Sequence, residues 1–211
     1  MDSNKKFWNR FAKLYTPLQE KSNKKIYGYV IERCKKYIDT GTNVLELASG
    51  TGQFTFSLCN NAKSFTATDF SENMVSEGNK RASVLLSEEE RKTVTFCVED
   101  ATKLSYKADS FDVVLIANAL HIMPNPDEAL KEIMRVLKKD GVLIAPTFVY
   151  EGKINHFRMW VISRAGFKTF HKWKKIDLEN YLKERGYSVI ESEVVNGKPL
   201  PELFIVCKKS E

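Results

Sequence analysis

From residue 43 to residue 149 the chain alternates between two periodicities, and this alternation restricts its fold more than any other feature. Short apolar runs that suit buried strands are "NVLELA", "SFTATDF", "TVTFCVED", "SFDVVLIANAL" and "VLIAPTFV". Between them lie segments with helical spacing: "QFTFSLCNN", "SENMVSEGNKRASVLL" and "NPDEALKEIMRVLKKDG". Strands separated by helices pair in parallel, because each helix carries the chain back across the sheet. Ser71 is an expected N-cap. The helix after Asn125 has a proline at its start and Gly141 at its expected end.

The rest of the chain extends this plan. Residues 4–38 carry two helical stripes, Phe7, Trp8, Phe11, Leu14, Tyr15, Leu18 and then Tyr27, Val30, Ile31, Cys34, Tyr37, Ile38. Pro17 should break the first helix. After an aromatic and basic stretch, "DLENYLKERG" reads as a helix ending at Gly186. "YSVIESEVV" and "LPELFIVCKK" read as two strands. Asn196-Gly197 signals a tight hairpin turn between them. The expected fold is therefore α/β: a Rossmann-like sheet of seven strands, mostly parallel, with an antiparallel C-terminal hairpin strand and helices on both faces. At 211 residues this is one domain. It divides into a helical cap (1–42), a core (43–149), an insert (150–176) and a C-terminal helix and hairpin (177–211).

The first strand runs directly into "ASGTG". A tight turn needs one glycine; a second suggests that a ligand approaches the backbone. In an open parallel sheet such a loop sits at the carboxyl ends of the strands, where ligands bind. Its amides lead into a helix N-terminus, which favours negative charge. Thr55 stands where a dinucleotide fingerprint needs its third glycine, and Gln53 where a phosphate-binding Walker loop needs lysine. Asp69 ends the second strand, where a carboxylate can accept from two ribose hydroxyls.

In order and spacing, residues 44–147 resemble the class I S-adenosylmethionine-dependent methyltransferases. They are most similar to small ubiquinone/menaquinone-biosynthesis-like and phospholipid N-methyltransferase-like members. "VLELASGTG" matches the first motif of that family, "TATDFSENMV" the second, "VEDATKL" the third, and "FDVVLIANALHIM" the fourth. "ALKEIMRVLKKDGVLI" matches the helix and strand that follow. One departure is Ala48, where many relatives carry glycine.

The resemblance implies S-adenosyl-L-methionine as cofactor and S-adenosyl-L-homocysteine as product. It places the cofactor against Glu46, Ala48, Ser49, Gly50, Gly52, Asp69, Phe70, Met74, Asp100, Ala101 and Asn118. Asp69 would hold the ribose, and Asp100 and Ala101 the adenine edge. Glu46 would order the loop by accepting backbone N–H bonds. The implied reaction is in-line methyl transfer to a small-molecule acceptor, with alignment as the main source of rate. A base is needed only where the acceptor must lose a proton. His121, after the fourth strand, and Tyr15, in the N-terminal stripe, are the candidate catalytic residues. A structural histidine and a core tyrosine are the plain alternatives.

Charge and composition narrow the acceptor. The net charge of +6 is uneven: +6 over residues 1–42, −4 over 43–150 and +4 over 151–211. Basic flanks and an aromatic insert suit an apolar or anionic small molecule. They leave open a lipid headgroup or quinone methylated at a membrane surface, with peripheral contact through the first helix. RNA methylation and a non-catalytic cofactor-binding role are further alternatives. "ANAL" lacks the Pro-Pro-aromatic run of enzymes that methylate base amines, so nucleic acid is disfavoured. Four scattered cysteines and no acid cluster give no metal site. No apolar run nears the roughly 20 residues of a membrane span. The N-terminus has no signal-peptide core, so a cytoplasmic location is expected.

Overall fold

The computed structural model describes residues 7–10, 12, 25–152, 169–197 and 200–210. Tyr15 and most of the aromatic insert lie outside these residues. The strands are β1 (Asn43–Leu47), β2 (Ser64–Asp69), β3 (Val94–Val98), β4 (Phe111–Ile116), β5 (Leu137–Ile144), β6 (Thr147–Phe148), β7 (Tyr187–Val195) and β8 (Glu202–Lys209). The helices are α1 (25–34), α2 (Thr55–Leu58), α3 (Glu72–Leu85), α4 (Glu88–Thr93), α5 (Pro126–Val136) and α6 (Lys175–Lys183). One sheet runs β3-β2-β1-β4-β5-β8-β6, with β7 on the outer side of β8. β1 to β5 pair in parallel, and β8 is antiparallel to β5, β6 and β7.

The described residues hold eight strands, not the expected seven. "VLIAPTFV" is divided at Pro146, which lacks the N–H that a continuous ladder requires. β5 ends at Ile144, and β6 pairs separately with β8 through Thr147–Leu203 and Phe148–Glu202. α5 stops at Val136, so Gly141 lies inside β5 and does not cap the helix. The partner of Phe111 is Leu137 and that of Val113 is Val142, so residues 138–141 bulge out of the ladder. The hairpin connection is 196–201, longer than the tight turn that Asn-Gly suggests, since Val195 pairs with Glu202. α4 was not legible from apolar spacing; a capping box from Ser87 to Glu90 starts it.

Side-chain alternation along the buried strands makes two cores, one on each face of the sheet. Val44, Val113 and Phe204 pack with Val30 and Cys34 of α1. Leu45, Val114 and Ile205 pack with Leu130 and Ile133 of α5 and Leu178 and Leu182 of α6. The Tyr187 hydroxyl, fully enclosed, donates to the carbonyl of Leu130 at 2.7 Å, so its burial leaves no orphan donor. No helix among the described residues is long and apolar enough to cross a membrane.

Candidate functional site

β1 lies between β2, which follows it in sequence, and β4. Strand order reverses there, and the loops leaving β1, β2, β3 and β4 open one crevice at their carboxyl ends. A cavity of about 530 Å³ fills this crevice.

The loop after β1 is held in shape by two acids. Glu46 is 1% exposed and accepts the Thr55 hydroxyl and backbone N–H, so it ties the end of β1 to the start of α2. Burial raises the Glu46 carboxyl to about 8, against the lowering effect of those bonds. Thr55, which stands in the third-glycine place, therefore supplies a hydroxyl that a glycine could not. Asp69 closes the loop from the other side. Its Oδ2 accepts the Gly50 amide at 3.0 Å and its Oδ1 the Ser71 amide at 2.9 Å. Burial pushes Asp69 up to about 6, partly countered by the Ser71, Gly50 and Phe70 amides. Each oxygen keeps acceptor capacity for a further donor.

The two glycines do different things. Gly50, at φ +57°, lines the cavity. Gly52, at φ +88°, does not; a Cβ there would lie 2.6 Å from Phe56 and 2.8 Å from Phe96. Its role is packing, and the close backbone approach falls to Gly50. Ala48 also lines the cavity and takes φ +54°, a left-handed conformation that strains a non-glycine residue.

Of the expected cofactor contacts, Ala48, Gly50, Asp69, Phe70 and Met74 form one wall of the cavity, and Asp100, Ala101 and Asn118 line it further along. Glu46, Ser49 and Gly52 stand behind the wall. Asp100 spends Oδ1 on the Thr102 amide and hydroxyl, at 2.9 and 2.7 Å. Ser71 caps α3 by accepting from the Met74 amide at 3.2 Å and donates to Asn9 Oδ1 at 2.5 Å. This bond seats the helical residues 7–10 on α3 and puts Trp8 in the cavity wall. Trp8 was legible only as part of an amphipathic stripe. Ile122 and Met123, also on the wall, carried no signal beyond their place in the fourth motif.

His121 is 2% exposed and sits outside the cavity wall, edge-on to Phe148 with ring centroids 5.9 Å apart. Burial, with His171 nearby, lowers its pKa to about 4, so it is neutral at physiological pH. Its carbonyl accepts the Phe170 and His171 amides. Asn118, at φ +54°, donates its backbone N–H to the Pro146 carbonyl at 2.7 Å and its side-chain Nδ2 to Glu202 Oε1 at 3.0 Å. Glu202, fully buried in β8, was not singled out from sequence. No group of three or more His, Cys, Asp or Glu among the described residues is placed to hold a metal.

Known proteins resemble this chain in sequence and in fold. Residues 45–145 match the model of a methyltransferase domain family. The chain is 37% identical over 108 residues to a demethylmenaquinone methyltransferase of Clavibacter sepedonicus, covering 51% of this chain and 42% of that one. It is 35% identical over 124 residues to a ubiquinone/menaquinone biosynthesis C-methyltransferase of Rickettsia massiliae, covering 55% and 49%. These matches span less than half the length of either relative. The solved structure of magnesium protoporphyrin IX methyltransferase from Synechocystis PCC 6803, with S-adenosylhomocysteine bound, superposes with a TM-score of 0.67 at 18% identity, covering 88% of this chain and 83% of that one.

Proposed function

We propose that the chain, whose residues 45–145 match the model of a methyltransferase domain family, is a class I S-adenosylmethionine-dependent methyltransferase and transfers a methyl group from S-adenosylmethionine to a small-molecule acceptor. The observation that carries this reading is Asp69 at the end of β2. It is fixed by two backbone amides, faces the cavity, and keeps acceptor capacity on both oxygens for vicinal hydroxyls. Gly50 beside it presents bare backbone, and Asn118 lines the cavity on the β4 side. A nucleoside with an amino-acid tail suits a cavity that runs from Asp100 past Asp69 and Gly50 to Asn118.

Bound there, S-adenosylmethionine supplies an electrophilic methyl group whose departure from sulfur needs no acid. The work left to the protein is orientation and exclusion of water. Asp69 and Gly50 fix the ribose end, and Trp8, Ile122 and Met123 give the cavity apolar walls. Neutral His121 is set back from the wall, so it supports the β4 loop rather than meeting the acceptor directly. Curated relatives carry quinone-biosynthesis names, which makes an apolar ring a reasonable first acceptor class.

The test is transfer of isotope-labelled methyl from S-adenosylmethionine to a panel of apolar ring acceptors, 1,4-naphthoquinol among them. Labelled product that disappears in Asp69→Ala supports the proposal. Tight cofactor binding with no transfer to any acceptor would favour a non-catalytic role.

A further inference from the structure

The loop that carries Gly50 enters the left-handed region three times, at Ala48 (φ +54°), Gly50 (φ +57°) and Gly52 (φ +88°). A buried loop of this shape must still find a partner for each backbone polar group. The Ser49 amide donates to the Thr68 carbonyl at 2.8 Å. The Thr51 carbonyl draws its donor from further away. Thr51 is 1% exposed, and its carbonyl oxygen accepts Nη1 of Arg81, 30 residues on in α3, at 2.8 Å. The same nitrogen lies 3.3 Å from the Thr51 hydroxyl. Arg81 does not line the cavity, so it meets the loop from behind.

Two peptide units connect this bond to the cavity. The Thr51 carbonyl and the Gly52 amide belong to one peptide, and that amide donates to the Ser49 carbonyl at 3.0 Å. The Ser49 carbonyl and the Gly50 amide belong to another, and that amide donates to Asp69 Oδ2 at 3.0 Å. A guanidinium therefore stands at the donor end of the chain of bonds and a carboxylate at the acceptor end. Bonds in such a chain polarise one another, so a cation at one end strengthens the last donor. The guanidinium is itself held in place. It lies over the Phe56 ring, 5.0 Å from its centroid, and Phe56 packs on Phe96 with centroids 5.6 Å apart. Glycines at 52 and 78 admit these rings, since a Cβ there would lie 2.8 or 2.7 Å from Phe96.

We infer that Arg81 is a positioning residue of the cofactor site: acting through the Thr51–Gly52 and Ser49–Gly50 peptides, it fixes the Gly50 amide on Asp69 and holds that carboxylate ready for the ribose. This rests on the methyl-transfer reading above, which sets the ribose against Asp69. Arg81 lowers the cost of binding because the loop and Asp69 are ordered before the cofactor arrives. The ionisable groups that line the cavity with Asp69 are all acids, Glu99, Asp100 and Glu128. Glu46 stands behind it on β1, Glu72 opens α3 beside it, and Arg10 of the docked N-terminal residues is exposed and off the cavity wall. The amides of Ser71, Gly50 and Phe70 are what favour a charged Asp69, and Arg81 strengthens the Gly50 member of that set. Without Arg81 the Gly50 bond weakens, and Asp69 takes a proton at a higher pH.

Two measurements on the intact chain test this, with Arg81→Met, Arg81→Lys and, as a control for charge on α3, Lys80→Met, whose ammonium pairs with Glu77. The first needs no cofactor. Amide hydrogen exchange in the ligand-free protein should quicken about tenfold at Gly50 and Gly52 in Arg81→Met and stay within about twofold at Ser49, whose amide bonds to Thr68. The second is calorimetric titration with S-adenosylhomocysteine from pH 5 to pH 8. The parent's affinity should fall away below about 6 as Asp69 takes a proton. Arg81→Met should bind about tenfold more weakly at pH 7.5 and begin to lose affinity about half a pH unit higher. Arg81→Lys keeps a charged donor and should stay within about threefold of the parent, and Lys80→Met should match the parent. Unchanged exchange at Gly50 and Gly52 in Arg81→Met overturns the inference, as does equal quickening at Ser49. A loss of affinity that is the same at every pH also overturns it, because a residue that only supports the helix would give that result. If the parent fails to bind S-adenosylhomocysteine, the cofactor reading falls, and the exchange result still decides whether Arg81 orders the loop.

Discussion

Glu202 gives a stability prediction that needs no substrate. Its carboxyl titrates near 4.5 when solvated and about 8 in the fold. The folded protein therefore binds a proton that the unfolded chain has released, and Glu202 costs stability as pH rises between those values. Below 4.5 it costs almost nothing. The cost grows by about 1.4 kcal/mol per pH unit and levels off above 8. At pH 7 it is about 3 kcal/mol, and between pH 5 and pH 8 it rises by about 3 kcal/mol. Glu202→Gln removes the titration and keeps the bond to Asn118. A new unpaired amide donor lowers the variant's stability by about 1–3 kcal/mol at every pH. That offset moves the variant's curve without tilting it. Urea unfolding of both proteins at several pH values from 5 to 8 reads the difference directly. The variant should gain on the parent by about 3 kcal/mol across that range and be the more stable at pH 8. Two parallel curves would show that Glu202 is not a buried, unpaired acid and would refute the reasoning.

Three more outcomes follow from the site. Gly52→Ala forces a methyl against Phe56 and Phe96 at a positive φ, so thermal unfolding should register a loss of about 2 kcal/mol or more. Asn9→Ala removes the acceptor for the Ser71 hydroxyl; the docking of residues 7–10, and with it Trp8 on the cavity wall, loosens, and stopped-flow measurement should find S-adenosylhomocysteine leaving about fivefold faster, as one hydrogen bond implies. His121 titrates near 6.5 when solvated and about 4 in the fold, so it costs stability as pH falls from 6.5 to 4; His121→Gln should flatten the acid limb of the unfolding profile by about 3 kcal/mol over that interval.

What could be read from sequence is what local chemistry decides. The glycine loop, the strand-end Asp69, the Ser71 cap and the alternation of β1 to β5 with helices depend on neighbours a few residues apart. The division at Pro146 was legible in principle, because proline cannot donate to a ladder; the apolar run around it masked the break. Gly52 and Gly50 look alike in sequence, and only the packing of Phe56 and Phe96 separates their roles. Glu202 was hidden for a different reason. It meets Asn118 across 84 residues of chain, and only the antiparallel return of β8 brings it there. A single acid in "PELFIV" has the pattern of an exposed strand residue. Trp8 reaches the cavity only because Asn9 docks on α3. Long-range pairing of this kind leaves no mark on periodicity.

The central claim is that the cavity beside Gly50 and Asp69 binds S-adenosylmethionine through its ribose. The most direct measurement is calorimetric titration of the protein with S-adenosylhomocysteine, with NAD as the comparison ligand. The account predicts a single-site isotherm for S-adenosylhomocysteine and none for NAD. Asp69→Ala should weaken binding at least a hundredfold, because the change removes both hydroxyl acceptors and the anchor of the Gly50 amide. Binding of NAD with equal affinity, or S-adenosylhomocysteine binding unchanged in Asp69→Ala, would contradict it.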